Sequence, residues 1–181
     1  MITIVQNGHP ALRKVAIEVA LSDIPKPKIK KVLLEMKEAL HSQNDGVAIA
    51  APQIGASLRI FVVAGKVFDE NFVRGSAQTK SKSKVTEPDD IAFINPVFKK
   101  ISRDKKLLSE GCLSVRPLYG KVRRATRATV EAYNERGEKF IMDGTGLLAH
   151  IFQHETDHLD GILFIDKARD LHESTPEEEY K

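Results

Sequence analysis

The stretch His150-Ile151-Phe152-Gln153-His154-Glu155-Thr156-Asp157-His158-Leu159-Asp160-Gly161 decides how the chain is read. It holds the pattern H-E-x-x-H at His154, Glu155 and His158. Residues four apart on an α-helix lie one above the other on one face, so two imidazoles at that spacing can grip one divalent metal. Glu155 projects beside them, within reach of a water that such a metal would hold. Leu147, Leu148, Ile151, Phe152 and Leu159 supply an apolar face, Gly144 and Gly146 mark the entry, and Gly161 suits a helix end. A helix is therefore predicted over about residues 146–160. His150 lies one turn before His154. Its separation from His158 is about 12 Å at ~1.5 Å per residue, against metal–nitrogen bonds of about 2 Å. Three histidines cannot share one ion, and His150 is expected to pack beside the site or line its mouth.

The rest of the chain bounds the setting. Its 181 residues are enough for one domain with a real core, and 41% hydrophobic with 29% charged residues is an ordinary soluble balance. A net charge of +3 is too small to argue for nucleic acid binding. Cys112 is the sole cysteine, which excludes an internal disulfide and suits a reducing compartment. No apolar run approaches the ~18 residues of a membrane span, and the N-terminus lacks the pattern of a secretory signal. The expectation is a cytoplasmic protein.

Working outward, residues 2–5 could form a short strand and residues 10–20 show no clean period. Pro25 and Pro27 precede a helix of about residues 27–43, with Ile29, Val32, Leu33, Met36 and Leu40 at a 3.6 period and the lysines around them on a solvated side. Strands are expected at 58–64, 91–98 (with Pro96 forcing an edge or bend), 99–109, 122–133 and, after the turn Asn134-Glu135-Arg136-Gly137, 139–142. Residues 65–90, with the run Lys80-Ser81-Lys82-Ser83-Lys84, read as an exposed insertion. Residues 162–165 pack back on the core, and the acidic tail over 173–181 is expected to fray. No internal repeat is visible. The fold class is α+β: antiparallel or mixed sheets around the central C-terminal histidine helix, with the 27–43 helix outside.

A catalytic site of this kind takes three protein ligands and one open position. The residues alone leave the third ligand open among Cys112, His150, His9, His41, His172 and several carboxylates. Cys112 stands out by its company, Glu110-Gly111-Cys112-Leu113-Ser114, at the end of a predicted strand where a thiolate would be a strong soft ligand. Gly46-Val47-Ala48-Ile49-Ala50-Ala51-Pro52-Gln53 adds a block of small residues, which lets the backbone approach a ligand or another element closely and equally suits a tight loop packed under a helix.

In order along the chain, these three blocks resemble the signature of the peptide deformylases: G-x-G-x-A-A-x-Q, then E-G-C-L-S, then Q-H-E-x-D-H-L. The last two match fully. The similarity extends to the chain length and to Pro10-Ala11-Leu12-Arg13, and so covers nearly the whole sequence. Ala48 replaces the second glycine of the first block, and Tyr119 lies near where some members carry a peptide-holding arginine. The resemblance implies hydrolysis of the N-formyl group from the methionine that starts a new polypeptide. It implies Cys112, His154 and His158 as metal ligands, with Fe²⁺ in the cell and Zn²⁺, Ni²⁺ or Co²⁺ possible after purification. Glu155 would carry the proton, and Gln53 with the Leu113 backbone N–H would hold the oxyanion. Gly46, Val47, Ala48, Leu147, Ile151 and Tyr119 would meet the substrate. Asp157 and Arg124 could orient ligands or form a structural ion pair. The partners implied are N-formyl-methionyl peptides and nascent chains. The short acidic tail is unlike the basic C-terminal helix by which some members touch the ribosome, so ribosome docking does not carry over.

Overall fold

The computed structural model describes residues 2–69, 72, 74 and 88–180. The chain runs α1 (Pro27–His41), β1 (Ala48–Ala50), β2 (Ile60–Val63), β3 (Ile91–Ile101), β4 (Lys105–Gly111), β5 (Leu118–Ala125), β6 (Arg127–Tyr133), β7 (Lys139–Thr145), α2 (Gly146–Leu159), β8 (Arg169–Glu173) and α3 (Pro176–Glu179), with short 3₁₀ turns between. One sheet has the order β1-β2-β3-β6-β7 and the other the order β4-β5-β8, and every pairing in both is antiparallel. The architecture is α+β.

Strand periodicity explains the layering. Successive side chains leave opposite faces of a sheet. From β1, β2 and β3, Ala48, Ala50, Phe61, Val63 and Phe93 face one way and join Ala149, Ile151, Phe152 and Leu159 of α2 in one core cluster. Ile49, Ile60, Val62, Ala92 and Ile94 face the other way and meet Ile29, Leu33, Met36 and Leu40 of α1. At β1, β2 and the start of β3 both faces are therefore covered, which accounts for their continuous apolar runs, whereas β6 and β7 alternate with polar residues on an open face. A third cluster, with Leu12, Val115, Val122, Leu163 and Phe164, ties the small sheet to the segment after α2. Cys112 is part of it.

Several boundaries differ from the sequence reading. Residues 2–5 form no strand; Val5 N–H donates to the Gln53 carbonyl at 2.9 Å but no ladder follows. The first helix ends at His41 rather than 43. The strand expected over 99–109 is two pieces: β3 continues to Ile101, and β4 starts at Lys105 after a turn closed by the Ser102 hydroxyl on the Asp104 carbonyl. The single strand expected over 122–133 is broken at Thr126, where the chain leaves the small sheet for the large one. At Pro96 the bend is present. Asn95 has φ +51°, register slips between Ile94 and Val97, and pairing with β2 stops at Ile94. Proline cannot donate to a ladder.

The expected insertion at 65–90 is described only at its ends. There Gly65–Phe68 forms a 3₁₀ turn, Val67, Phe68 and Phe72 pack on the α2 cluster, and the Gly65 N–H donates to Asp90 Oδ1 at 2.9 Å. The Lys-Ser run lies outside the described residues. The tail expected to fray instead turns into α3, because Thr175 caps it by accepting from the Glu178 N–H, and His172 meets Glu179 at 2.9 Å.

Candidate active site

Helix α2 carries its histidines toward the small sheet. Its register is set by Gln153, whose side chain accepts from the Ala125 N–H at 2.9 Å and donates to the Ala125 carbonyl at 3.0 Å. That clasp holds the helix against the junction of β5 and β6. His154 and His158 lie with ring centroids 5.0 Å apart. Cys112 arrives from the end of β4, where a Cβ on Gly111 would overlap the ring of Tyr119, its partner across the strands. Glycine is needed there because the aromatic ring occupies the space above its backbone.

Cys112 Sγ stands 3.2 Å from His158 Nε2. His154 Nδ1 meets Glu110 Oε2 at 3.0 Å, which leaves its Nε2 for the cluster. Ligand atoms of Cys112, His154 and His158 all lie within 4.8 Å of one another. Bonds of about 2.3 Å to sulfur and 2.0–2.1 Å to nitrogen, at a tetrahedral angle, would set such atoms roughly 3.5 Å apart. The donor set thus fits a transition metal. One buried orphan supports the fit: among the described residues, Glu155 Oε2 has no hydrogen-bond partner. A buried unpaired group costs about 1–3 kcal/mol, a cost that a water held by a bound ion would offset.

A charged network stands behind the ligands. Glu110, 1% exposed, accepts from Arg124 Nε at 2.6 Å and Nη2 at 3.0 Å, and pairs with His150 at 2.6 Å. Arg124 Nη1 reaches Asp157 at 2.6 Å, and Asp157 in turn takes Lys167 at 2.7 Å. Burial opposes charge on Glu110, but the hydrogen bonds from His150, His154 and Arg124 hold it well below the usual carboxylate range. Burial likewise opposes charge on His154, yet Cys112 and Glu110 raise it well above the usual imidazole value. Burial, with the His154 charge adding to it, drives His158 well below that value. Burial pushes the Glu155 carboxyl up to about 7 against the pull of His154. A carboxyl titrating near neutrality is suited to carrying a proton both ways.

Gln53 sits in a 3₁₀ turn after β1. Its Oε1 accepts from the Ala50 N–H at 2.8 Å, which turns its Nε2 toward Ser114 Oγ at 3.1 Å and Cys112 Sγ at 3.5 Å. The Ser114 N–H also points to the sulfur at 3.4 Å. Leu113 is anchored through its carbonyl, which accepts from Gln6 Nε2 at 3.0 Å.

A family model for polypeptide deformylase matches residues 1–174. The chain belongs to the polypeptide deformylase family. A peptide deformylase 2 from Clostridium acetobutylicum is 39% identical over 155 residues, covering 86% of this chain and 87% of that protein. A peptide deformylase from Desulfitobacterium hafniense is 39% identical over 167 residues, covering 92% and 93%. Among solved structures, the Met-Ala-Ser-bound class I type b peptide deformylase from Acinetobacter baumannii superposes with a TM-score of 0.77 at 30% identity, covering 92% of this chain and 98% of that one. The peptide deformylase from Thermotoga maritima gives 0.74 at 32% identity, covering 93% and 98%.

In this deformylase-family chain a cleft opens beside the cluster, enclosing about 570 Å³ including its mouth. Gly46, Val47, Ala48, Gln53, Leu113, Tyr119, Ile151 and Glu155 line it, as do Cys112 and His154. Leu147 does not; it shares the helix face of His150 and Ile151 but sits in the first turn of α2 and packs on the core cluster. His150 lines the cleft as well as pairing with Glu110. The sequence reading named Asp157 and Arg124 but gave no role to Glu110, Ser114, Arg74 or Tyr180. Glu110 had a legible signal: on a strand it shares a face with Cys112, two residues on. Tyr180 had none.

Proposed function

We propose that the cleft seats an N-formyl-methionyl peptide with its formyl carbon beside Cys112, His154 and His158, and that Glu155 carries the proton during hydrolysis. Family membership makes the reaction removal of the N-formyl group, releasing formate. The observation that carries the assignment of roles is the buried Glu155 oxygen without a partner next to the sulfur–imidazole cluster. One thiolate and two imidazoles suit Fe²⁺, and also Zn²⁺, Ni²⁺ or Co²⁺. Such a metal, when bound, acidifies a water toward pH 7 and polarises a carbonyl oxygen.

The residues then divide the work. Glu110 fixes the His154 ring by accepting from its Nδ1–H, so that Nε2 would face an ion. Glu155 accepts a proton from the attacking water as the water's oxygen bonds to the formyl carbon. The carbonyl oxygen gains negative charge, and in this reading the Gln53 Nε2 and the Leu113 backbone N–H donate to it. The C–N bond breaks as Glu155 returns the proton to the leaving nitrogen, so formate and a free amine result. Gly46, Val47, Ala48, Ile151 and Tyr119 contact the peptide, and Ala48 narrows the passage by one methyl. No helix of the described residues is long and apolar enough to cross a membrane. We place the protein in the cytoplasm, acting as one catalytic domain on nascent chains.

The test is formate release from formyl-Met-Ala-Ser by anaerobically purified protein, with metal content measured alongside. Glu155→Ala is expected to keep its metal and lose about 10²–10⁴-fold in turnover. Cys112→Ala is expected to lose both. Full turnover in Glu155→Ala, or cleavage within the peptide by Cys112→Ala, would overturn the assignment.

A further inference from the structure

Tyr180 and Arg74 also line the cleft, and the roles above leave them unused. The Arg74 guanidinium lies 4.0 Å from the centre of the Tyr180 ring, and Tyr180 stands edge-on to Tyr119 with centroids 6.0 Å apart. Among the described residues, the Tyr180 hydroxyl and Arg74 Nε are buried with no hydrogen-bond partner. Native proteins seldom leave two such groups together, since each forfeits its bonds to water. A cleft whose wall holds two unsatisfied donors lacks an acceptor.

We propose that Tyr180 and Arg74 are positioning residues that donate to a backbone carbonyl oxygen of the formyl-peptide. The inference rests on the deformylase reading of the cleft. Both groups act as donors: guanidinium has no acceptor, and burial pushes the Tyr180 phenol up to about 12, so it keeps its proton at neutral pH. Seating them on the peptide takes a side-chain rotation at the cleft wall, of the kind that commonly accompanies ligand binding. Their placement follows from the capped turn of α3, which brings Tyr180 back over β5. The acidic tail thereby contributes to the site through its one aromatic residue.

Metal-loaded protein is assayed for formate release from formyl-Met-Ala-Ser, and its affinity for the product Met-Ala-Ser is measured by calorimetry. Tyr180→Phe removes only the hydroxyl. It is expected to raise KM and weaken product binding by about three- to tenfold, with kcat within about twofold. Tyr180→Ala is expected to exceed it, and Arg74→Met added to Tyr180→Phe to cost less than the product of the two single effects. Unchanged KM and product affinity in both Tyr180 variants, or a fall confined to kcat, would overturn the proposal while leaving the deformylase reading intact. Wild-type protein that releases no formate would overturn that reading and this inference with it.

Discussion

Helix α2 meets two sheets through two kinds of chemistry. Toward the five-stranded sheet it offers Ala149, Phe152 and Leu159 to a stack in which Phe61 and Phe93 lie 4.6 Å apart and Phe93 and Phe152 5.3 Å apart. Toward the three-stranded sheet it offers His150, His154, Asp157 and His158 to Glu110, Cys112 and Arg124. The apolar contact is non-directional, and its strength follows the area removed from water. The polar contact holds only while it is complete, because each buried charge left unpaired is expensive. One helix thus owes its place to one side and its chemistry to the other.

The largest effect should come from breaking the polar side. Glu110→Ala leaves Arg124 buried with Asp157 alone and frees the His154 ring. We expect a loss of about 3–5 kcal/mol in stability together with about 10–100-fold weaker metal binding, read by urea unfolding and by competition with a chelator. Phe152→Ala attacks the apolar side. It should cost a similar ~3–5 kcal/mol, yet leave the metal affinity of the folded protein unchanged. Equal damage to metal binding from both substitutions would erase the distinction.

A third experiment sharpens the contrast within the polar side. In metal-free protein the Glu155 carboxyl titrates at about 7 instead of the 4.5 of a free glutamic acid. The folded state therefore holds this proton more tightly than the unfolded one. Its contribution is fully present below pH 4.5 and is lost as pH rises through 7, a swing of about 3 kcal/mol. Glu155→Gln should remove that swing, so that metal-free variant gains on metal-free wild type between pH 4.5 and 8 in urea midpoints. A constant difference across that range would contradict it. The smallest effect belongs to the exposed pair of Arg13 and Asp166. Arg13→Ala should change stability by no more than about 1 kcal/mol and leave formate release untouched.

The two regions were also unequally legible. The histidine helix announced itself through its period and its motif, and β2 and the start of β3 through their apolar runs, while β1, three small residues inside the block of residues 46–53, was not read as a strand. The turn at Asn134 was legible because its side chain accepts from the N–H groups of Arg136 and Glu138, a local device. The break at Thr126 was not, since Ala125-Thr126-Arg127 has neither glycine nor proline, and only the choice of sheet partner divides β5 from β6. Arg124 was less legible than Glu110: it follows Arg123 in a basic pair such as solvent-facing strands carry, and only the docked helix turns it inward. Leu147 shares the helix face of His150 and Ile151, yet it stands in the first turn of α2 and packs on the core cluster, a depth along the helix that periodicity does not give.

Gln53, Cys112 and His158 come together across separations of 59 and 46 residues. Loop closure over such spans adds only about 0.6 kcal/mol for each doubling of length, but non-local contacts of this kind slow folding. A chain that has formed α2 alone owns two imidazoles and no thiolate. If Cys112 is a ligand as proposed, tight ion capture would wait until β4 has docked, and metal binding would report that the two sheets have met across the helix.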